Sequence, residues 1–539
     1  MARVAEHQAD YVIVGGGSAG AVLANRLSED SSVRVLLIEA GGEAKAFMVQ
    51  MPVGFAYMLT DPRFDWGYEQ APDPTINGRH FTWSAGRLLG GGSSINGQVY
   101  IRGARSDFEG WAALGAAGWA WNDVVPYFLR SEHWHGGPSQ ARGAHGPLSV
   151  SPMREAHPLC DVFLKACNQF GLATLGEYNA GHLEGAFLTQ ATQRDGWRCS
   201  TEKAYLRPAR QRPNLQILTN AEAHSLVLHE GRAIGVNISR GGETEVAKAA
   251  REVIVSCGAL GSPALLMRSG VGPGELLKGL DIAVAHDSPE VGQNLQEHSG
   301  SSQNKFVSRP TLNSRMGRWD IASNMGRFLL MRKGPMSAPA VQAMAFARTD
   351  PDLAEPDIQI HFMPLAYDVE PDTLSAARAV MPKEPCVSLN VTLCHPESRG
   401  QVVLNADGRP VAVHRLLGSE VDLQRHVAGM KLVDRLFGQP AFQEIIVGDR
   451  QPPRVPDTDD GWIDYARAKL LLAYHPVGTC RMGSDDRSVV DTRLRFRGLD
   501  GLRVVDASVM PTLTSGNTNA ATIMIAEKAA DMIREDARG

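Results

Sequence analysis

Three glycines and one glutamate near the start of the chain have the spacing of a nucleotide-binding loop. Gly15, Gly17 and Gly20 fill a G-x-G-x-x-G frame, in which glycine permits a sharp turn, close approach of the backbone to a pyrophosphate and close packing of a helix on a strand. Glu39 lies 19 residues after Gly20, where a carboxylate accepts hydrogen bonds from ribose hydroxyls and repels a 2'-phosphate. These residues predict a dinucleotide site. The alternative is a glycine-rich turn of an unrelated α/β fold.

The segments around these residues have the patterns of the elements that would position them. A β-branched apolar run at 11–14 predicts a buried parallel strand, residues 19–27 predict a helix, and residues 33–38 predict a second strand that ends at Glu39. The amino terminus of such a helix carries free N–H groups and the positive end of its dipole, which favour a phosphate. A strand-helix-strand unit in register with the glycines therefore favours the dinucleotide interpretation.

A second glycine-rich segment follows at 86–100, after a long irregular stretch from 48 to 82. Three adjacent glycines, Gly90 to Gly92, precede two serines, an isoleucine and Asn96. Such a backbone can lie flat against a planar ligand and offer N–H and hydroxyl donors to it. The segment is therefore a second candidate for cofactor binding.

Composition argues against several classes of function. The 539 residues carry a net charge of -5 with dispersed basic residues, which makes nucleic acid an unexpected partner. The seven cysteines are odd in number, widely spaced and without a C-x-x-C pair, so we predict reduced thiols and no zinc site. His133 and His135 flank Trp134 without a third ligand nearby, and no metal site is predicted there.

The sequence shows no signal for export or membrane insertion. Residues 1–10 lack the apolar core of a signal peptide, and no run of about 18 apolar residues occurs elsewhere. We expect a cytoplasmic protein without an integral membrane segment. Peripheral contact with the inner membrane stays open, because a surface patch need leave no linear signal.

Several motifs together resemble the glucose-methanol-choline (GMC) oxidoreductase family, and within it the choline-dehydrogenase-like alcohol dehydrogenases and oxidases. They are Glu39-Ala40-Gly41-Gly42, the segment 86–100 and the segment 258–272, and they follow the family's order in a similarity that runs from about residue 11 to 533. The resemblance implies an α/β fold with a Rossmann-type FAD-binding domain assembled from discontinuous segments. An α+β substrate domain with an antiparallel sheet would complete it.

The predicted domains alternate along the chain. The FAD-binding domain is expected to comprise residues 1–155, 206–303 and 475–539, the last with the catalytic residues. The substrate domain is expected to comprise residues 156–205 and 304–474.

Two local patterns add elements to this scheme. Helical periodicity of apolar residues over 111–130 predicts one helix at the end of the first FAD-binding segment. Apolar alternation at 357–363, 386–393 and 400–405 predicts antiparallel strands in the substrate domain.

The resemblance implies FAD rather than NAD as the cofactor, extended from the first glycine loop to a flavin ring against residues 90–99. Some relatives attach the flavin through a histidine where this chain has Ile95, so FAD is expected without a covalent bond. Sequence alone makes Asp506 a strand-end cap, whereas the resemblance makes it a cofactor contact. The contacts implied are Gly15, Gly17, Ser18, Ala19, Gly20, Glu39, Ala40, Trp66, Arg87, Gly90, Gly91, Asn96, Gly97, Gln98, Val99, Ala223, Asp506, Ala507, Asn519 and Ala520.

The resemblance also places the catalytic residues. His475 matches the family's catalytic histidine, and Asn519 takes the place of the second active-site residue, which is His or Asn. Oxidation of an alcohol requires loss of the hydroxyl proton and transfer of hydride from the same carbon to flavin N5. We expect neutral His475 to accept the proton, and Asn519 to donate a hydrogen bond to the developing alkoxide, worth about 3 kcal/mol. A helix from about 520 to 533 would direct the positive end of its dipole at the flavin.

These assignments predict FAD-dependent oxidation of a primary alcohol to an aldehyde, and onward to the acid through its hydrate. The alcohol (choline, aromatic, aliphatic or polyether), the electron acceptor (oxygen, quinone or another carrier) and the oligomeric state stay open from sequence. A hydroxynitrile lyase that keeps FAD for structure and uses the same histidine is the alternative. A flavin-binding protein without activity would make His475 and Asn519 coincidental.

Overall fold

The computed structural model describes residues 5–59, 61–368 and 381–538. Its first sheet is built around the strand Ala5–Val14, which pairs in parallel with strands on both sides. Residues 11–14 are buried, as expected for a parallel strand covered on both faces. In spatial order the strands are Leu215–Leu218, Val35–Ile38, Ala5–Val14, Glu243–Val255, Arg232–Arg240 and Ala221–His229, with Leu502–Val504 beside Glu243–Val255.

A second sheet is antiparallel. Its central strands Ser299–Val307 and Cys386–Leu393 are almost wholly buried, so this sheet forms the core of the second half of the molecule. The predicted domain boundary at 303/304 falls inside Ser299–Val307. In spatial order the strands are Ile446–Gln451, Ser299–Val307, Cys386–Leu393, Ile358–Met363, Ala343–Ala347 and Gly185–Leu188, with Leu471–Leu472 beside Ser299–Val307.

Helices pack against the two sheets. The longer ones are α1 (Ser18–Leu27), α2 (Arg105–Ala113), α3 (Trp121–Ser131), α4 (Leu159–Phe170), α5 (Gly258–Arg268), α6 (Arg318–Met331), α7 (Glu420–Phe437), α8 (Asp459–Lys469) and α9 (Asn519–Asp536). Shorter helices are Phe47–Gln50, Phe55–Met58, Gly92–Ile95, Gly274–Gly279 and Pro440–Gln443.

The single helix predicted over 111–130 is wrong. The structure has α2 and α3 with a turn between them, in which Gly115 and Gly118 have φ of 95° and 83°. Positive φ is readily available to glycine and ends a right-handed helix. The apolar periodicity continued across the turn because both helices bury tryptophans, Trp111 and Trp121.

The predicted strand at 400–405 forms, but outside the large antiparallel sheet. Gln401–Leu404 pairs with Pro410–Val413, and that strand pairs in parallel with Tyr68–Gln70. Tyr68–Gln70 in turn pairs with Thr82–Trp83. This small sheet therefore joins the long segment after Glu39 to the later part of the chain. The remaining short strands are Glu132–Trp134, Leu148–Pro152, Gln190–Ala191, Gln193–Arg194, Trp197–Arg198, Val271–Gly272 and His286–Asp287.

Within the described ranges, no helix combines the length and the apolar character needed to cross a bilayer.

Candidate active site

A cavity of about 1160 Å³ lies at the carboxyl ends of the parallel strands and opens toward the antiparallel sheet. Its lining includes Gly17 at the start of α1, Glu39 after the second strand, Asn519 at the start of α9, and His475. Crevices at the carboxyl ends of parallel strands are where α/β proteins bind nucleotides. The cavity therefore joins the predicted cofactor residues to the predicted catalytic histidine.

Two of the three motif glycines have a steric reason for lacking a side chain, and the third faces open space in the cavity. Gly15 has a φ of 100°, and a Cβ there would lie 2.4 Å from the Ser256 carbonyl oxygen. A Cβ on Gly20 would lie 1.9 Å from the Gly15 carbonyl oxygen, so α1 packs directly on the turn. Gly17 has open space toward Gly91 at 3.9 Å and faces the cavity. The loop thus leaves room at Gly17 for a ligand to approach the backbone.

Two helix amino termini meet at the cavity. Neither the Gly17 cap of α1 nor the Thr518 cap of α9 supplies a side-chain hydrogen bond to its helix. The Ser18 hydroxyl donates to the Asn519 amide oxygen at 2.7 Å, which joins the two ends. Unsatisfied N–H groups and aligned dipoles at such ends favour negative charge.

Two buried carboxylates border the cofactor part of the cavity. Glu39 accepts hydrogen bonds from the backbone N–H groups of Gly16 and Gly41, both at 2.8 Å. Burial raises the pKa of Glu39 by more than these two hydrogen bonds lower it. Asp506 accepts the Gly258 N–H at 2.8 Å and the Ser262 hydroxyl at 2.5 Å. Asp506 therefore holds the start of α5, and at the end of its own strand it accepts the Ser508 N–H at 2.8 Å. Its side chain also lines the cavity.

Most residues predicted to contact the cofactor line this cavity, and three do not. Gly20, Gly90 and Ala520 are absent from its walls, and Gly90 instead donates its N–H to the Gly16 carbonyl at 2.7 Å. The predicted residues that line it are Gly15, Gly17, Ser18, Ala19, Glu39, Ala40, Trp66, Arg87, Gly91, Asn96, Gly97, Gln98, Val99, Ala223, Asp506, Ala507 and Asn519.

The donor and acceptor set of this cavity fits FAD. A pyrophosphate matches the open N–H groups at the start of α1, and ribose hydroxyls match the remaining acceptor capacity of the Glu39 carboxylate. Ile95, where covalent attachment would require a histidine, is buried and lines the cavity. Among the described residues, no group of three or more His, Cys, Asp or Glu side chains could hold a metal ion.

His475 belongs to a hydrogen-bonded chain of four groups. Its Nδ1 lies 3.0 Å from Nδ1 of His298, whose Nε2 lies 2.9 Å from the Cys394 carbonyl oxygen. On the other side, Nε2 of His475 lies 2.9 Å from the Asn517 amide nitrogen. The chain therefore runs from a backbone carbonyl, through two imidazoles, to an amide at the cavity wall.

The carbonyl end fixes the position of every proton in this chain. A carbonyl oxygen only accepts, so Nε2 of His298 carries the proton and its Nδ1 has the lone pair. Nδ1 of His475 must then donate to His298, which leaves the lone pair of His475 on Nε2. That lone pair accepts from the Asn517 amide, and Nε2 is the atom of His475 available to accept a proton.

The surroundings keep both imidazoles neutral. Burial, and next the neighbouring His361, lower the pKa of His475 to about 3, and burial and then His475 lower the pKa of His298 well below 6.5. Tyr474 has a φ of 62°, an uncommon left-handed conformation for a large residue. The buried Glu297 carboxylate accepts the His475 backbone N–H at 2.7 and 2.9 Å. Together the turn and this carboxylate hold the backbone of His475 in place.

The structure places Asn517, and not the predicted Asn519, beside His475. The Asn519 amide oxygen is occupied by the Ser18 hydroxyl at the start of α9. Asn517 lies two residues earlier, before the Thr518 cap, and its amide reaches the imidazole. The sequence contained a usable signal. Asn519 is the first residue of the predicted helix, so its side chain is expected at the helix end, and Asn517 in the preceding loop is then the asparagine free to reach the histidine.

Sequence reasoning also left His298 open between a structural and a functional role, and it did not single out Cys394. Nothing in the sequence links residue 298 to residues 394 and 475, because the contact depends on the antiparallel sheet. The apparent metal motif has a different role, since the His133 and His135 rings stack with centroids 4.5 Å apart.

The fold and the site define a GMC oxidoreductase, and the chain belongs to that family. The family models described as GMC oxidoreductase match residues 9–300 and 396–526. This confirms the resemblance, the fold class and the enzyme class predicted from sequence. FAD is the cofactor of this oxidoreductase, as predicted.

Within the family, the chain is similar over nearly its whole length to bacterial oxygen-dependent choline dehydrogenases. The chain is 42% identical to an oxygen-dependent choline dehydrogenase of Rhizobium etli over 532 residues, covering 98% of this chain and 95% of the relative. It is also 42% identical over 534 residues to an oxygen-dependent choline dehydrogenase of Sinorhizobium fredii, again covering 98% of this chain and 95% of the relative.

Solved structures show the same architecture. Pyridoxine 4-oxidase from Mesorbium loti superposes with a TM-score of 0.88 at 30% identity, covering 98% of this chain and 99% of the other. A formate oxidase of Aspergillus oryzae, in a variant studied for FAD modification, has a TM-score of 0.91 at 26% identity, with 99% of each chain covered.

Proposed function

We propose that the protein oxidises a primary alcohol to the aldehyde, with Nε2 of His475 as the base that takes the hydroxyl proton. The observation that carries this proposal is the chain from the Cys394 carbonyl through His298, which leaves the lone pair of His475 at the cavity wall. When bound, FAD supplies the acceptor for the hydride that leaves the same carbon. The predicted contacts that line the cavity are the residues proposed to hold it.

Asn517 supplies the second polar group of the reaction. Its amide nitrogen and Nε2 of His475 lie 2.9 Å apart and are hydrogen-bonded. A substrate hydroxyl that replaces this hydrogen bond can donate to Nε2 and accept from the amide. As the proton leaves, negative charge develops on the alcohol oxygen and the amide hydrogen bond strengthens, by about 3 kcal/mol for donors of this type. His475 becomes an imidazolium while its Nδ1 proton stays on the hydrogen bond to His298.

Several apolar side chains of the cavity favour an uncharged alcohol. Leu312, Met316, Val341, Met363 and Leu365 are among its lining residues, and apolar walls do not repay the desolvation of a cation. Choline, named in the relatives' activity, is the competing substrate. We therefore expect aromatic or aliphatic primary alcohols to be oxidised with a higher kcat/KM than choline.

An anaerobic stopped-flow experiment tests both the base and the substrate class. Benzyl alcohol, 1-hexanol and choline are mixed with the yellow protein, and loss of flavin absorbance is followed. His475→Ala should abolish bleaching, while His7→Gln, which removes a histidine at the sheet edge paired with Glu245, should not. Bleaching by His475→Ala at the wild-type rate contradicts the proposal. Cleavage of a cyanohydrin without bleaching by any alcohol would favour the lyase. Recovery of absorbance in air identifies oxygen as an acceptor.

The proposed location of the enzyme is the cytosolic surface of the inner membrane. All seven cysteines are free thiols, as expected in a reducing compartment. Helix α6 turns its apolar side outward: Trp319 is 89% exposed and Leu330 is 88% exposed. Residues 315–333 contain five basic side chains and one acidic side chain, although the whole chain is acidic. An exposed apolar stripe with flanking arginines fits the surface of an anionic bilayer.

This surface adjoins the cavity, because Met316 is partly exposed just before α6 and also lines the cavity. The double variant Trp319→Ser, Leu330→Ser should lose co-sedimentation with phosphatidylglycerol vesicles. The control variant Val447→Ser changes an exposed valine in the strand Ile446–Gln451 and should keep co-sedimentation with the vesicles. Equal binding by all three proteins contradicts the proposal, and loss of a dimer in the double variant would assign the surface to a second copy instead.

A further inference from the structure

Asp107 does not line the cavity. Its carboxylate nevertheless connects the two loops that carry the Cys394 carbonyl and Asn517, which are the two ends of the hydrogen-bonded chain that contains His475. The side chain is fully buried at the third position of α2, where Oδ2 accepts the Ala104 N–H at 2.8 Å and caps the helix. A cap needs no further contact. Asp107 makes three more hydrogen bonds, and all of them go to loops more than 280 residues away in sequence.

The first of these loops carries Asn517. Ser515 donates its N–H to Oδ2 of Asp107 at 2.8 Å and its hydroxyl to Oδ1 at 2.7 Å. Two hydrogen bonds to one residue fix both the backbone and the side chain of Ser515. Since Asn517 follows two residues later, the position of its amide depends on this anchor.

The second loop carries the carbonyl at the other end. Nε2 of His395 lies 2.7 Å from Oδ1 of Asp107, and His395 directly follows Cys394, whose carbonyl accepts from His298. Burial lowers the pKa of His395, but the hydrogen bond and charge of Asp107 outweigh it and raise the pKa above 6.5. The pair is therefore a charge-assisted link that holds the Cys394 carbonyl in place.

Gly103 shows that the fold makes room for this arrangement. It has a φ of 102°, and a Cβ there would lie 2.6 Å from Oδ2 of Asp107 and 3.3 Å from Cβ of Thr514. A side chain would separate the carboxylate from the loop that carries Ser515.

We propose that Asp107 is a positioning residue for alcohol oxidation: it closes the chain Cys394, His298, His475, Asn517 into a ring by anchoring Ser515 and His395. The ring fixes the distance between the base and the amide donor, to which the rate is sensitive because a shift of about 1 Å can cost about a hundredfold. The proposal rests on the proposed role of His475 as base.

Asp107→Asn is the informative variant, because asparagine keeps one oxygen for the Ala104 and Ser515 N–H groups and loses the charge toward His395. The structure offers a matched control in α3, where Asp123 accepts the N–H of Ala120 at 3.1 Å in the same Ala-x-x-Asp capping arrangement. Asp123 is remote from the ring. Both variants lose a capping carboxylate, and only one loses the anchor.

We expect Asp107→Asn to lower the limiting rate of anaerobic flavin reduction by about tenfold to a hundredfold. FAD content and the Kd for alcohol should match those of Asp123→Asn, whereas the melting temperature should fall further in Asp107→Asn, because a buried charge paired with His395 is lost. In the Asn517→Ala background, which keeps a measurable rate, Asp107→Asn should cause a smaller loss than in the wild type, because part of its effect passes through the loop that carries that amide. Should Asp107→Asn fold poorly, His395→Gln and Ser515→Ala each remove one anchor and should each lower the limiting rate.

Equal limiting rates in Asp107→Asn and Asp123→Asn would overturn the inference, as would fully additive losses of rate with Asn517→Ala. A wild-type rate in His475→Ala alone would instead overturn the proposed base, so the two failures are distinguishable.

Discussion

Substitution of the two asparagines before and at the start of α9 tests the geometry of the site directly. Asn517 and Asn519 are two residues apart, equal in size and both at the cavity. The first reaches Nε2 of His475 at 2.9 Å and the second accepts the Ser18 hydroxyl at 2.7 Å. Removal of an oxyanion donor costs about 3 to 4 kcal/mol, or about a hundredfold to a thousandfold in rate. Removal of a neutral hydroxyl bond costs about 1 kcal/mol of stability.

We therefore expect Asn517→Ala to lower the limiting rate of flavin reduction by about a hundredfold or more, with a loss of stability of about 1 kcal/mol for its hydrogen bond to His475. Asn519→Ala should lower the melting temperature and FAD retention but change the limiting rate much less. Asn517→His, which keeps a donor at that position, should recover part of the rate. The assay is anaerobic stopped-flow absorbance at saturating alcohol. A larger loss of rate in Asn519→Ala than in Asn517→Ala would refute the assignment of the donor and restore Asn519 to that role.

The other predictions concern the base, the cofactor loop and stability. His298→Leu removes the acceptor for the Nδ1 proton of His475 and should slow flavin reduction about a hundredfold, whereas His298→Gln keeps an acceptor and should lose less. Gly20→Ala places a Cβ against the Gly15 carbonyl oxygen and should yield colourless protein without FAD. Acid precipitation of the wild type should release all FAD into the supernatant, because Ile95 cannot form a covalent bond to it. Burial lowers the pKa of His426 to about 4, so from pH 6.5 downward the unfolded chain binds a proton there that the folded protein does not. That residue's contribution should lower the free energy of unfolding by about 2 kcal/mol between pH 7 and pH 5, and His426→Gln should flatten the dependence measured by urea unfolding.

Each of these has a distinct contradicting result. Equal rates of flavin reduction in His298→Leu and His298→Gln would contradict the inference that His298 accepts the Nδ1 proton of His475. Yellow Gly20→Ala protein would show that α1 can move away from the turn. Flavin that stays with the precipitate would indicate a covalent link, and an unchanged pH dependence in His426→Gln would place the acid-sensitive group elsewhere.

The strands, the helix and the glycine loop that border the cofactor part of the cavity are predicted from sequence because they are local. The glycine loop, its flanking strands and Glu39 occupy one continuous stretch of 29 residues between Tyr11 and Glu39, and Gly15 and Gly20 answer steric demands made by their neighbours. Nothing distant is needed to place them. The same locality explains the extended first strand, whose four predicted residues form the buried end of Ala5–Val14.

The catalytic half is less predictable because its contacts are long-range. The position of Asn517 depends on where α9 begins, and a displacement of two residues exchanges the asparagine that faces His475. The role of His298 depends on the Cys394 carbonyl, which reaches it only after Ser299–Val307 and Cys386–Leu393 have paired. Periodicity also cannot show the break between α2 and α3, since the turn glycines interrupt the backbone and not the apolar pattern.

The presence of a neutral imidazole, rather than a carboxylate, beside Nδ1 of His475 has a chemical consequence. A carboxylate at Nδ1 of His475 would stabilise the imidazolium and raise its pKa. The nearest carboxylate, Glu297, is directed to the backbone N–H of His475, and the imidazole nitrogen meets neutral His298 instead. The base is therefore unprotonated throughout the physiological range, but it holds a proton weakly. A weak base cannot generate a free alkoxide without help, which is why we expect the Asn517 donor, and the anchors that fix it, to be needed for the full rate in addition to His475.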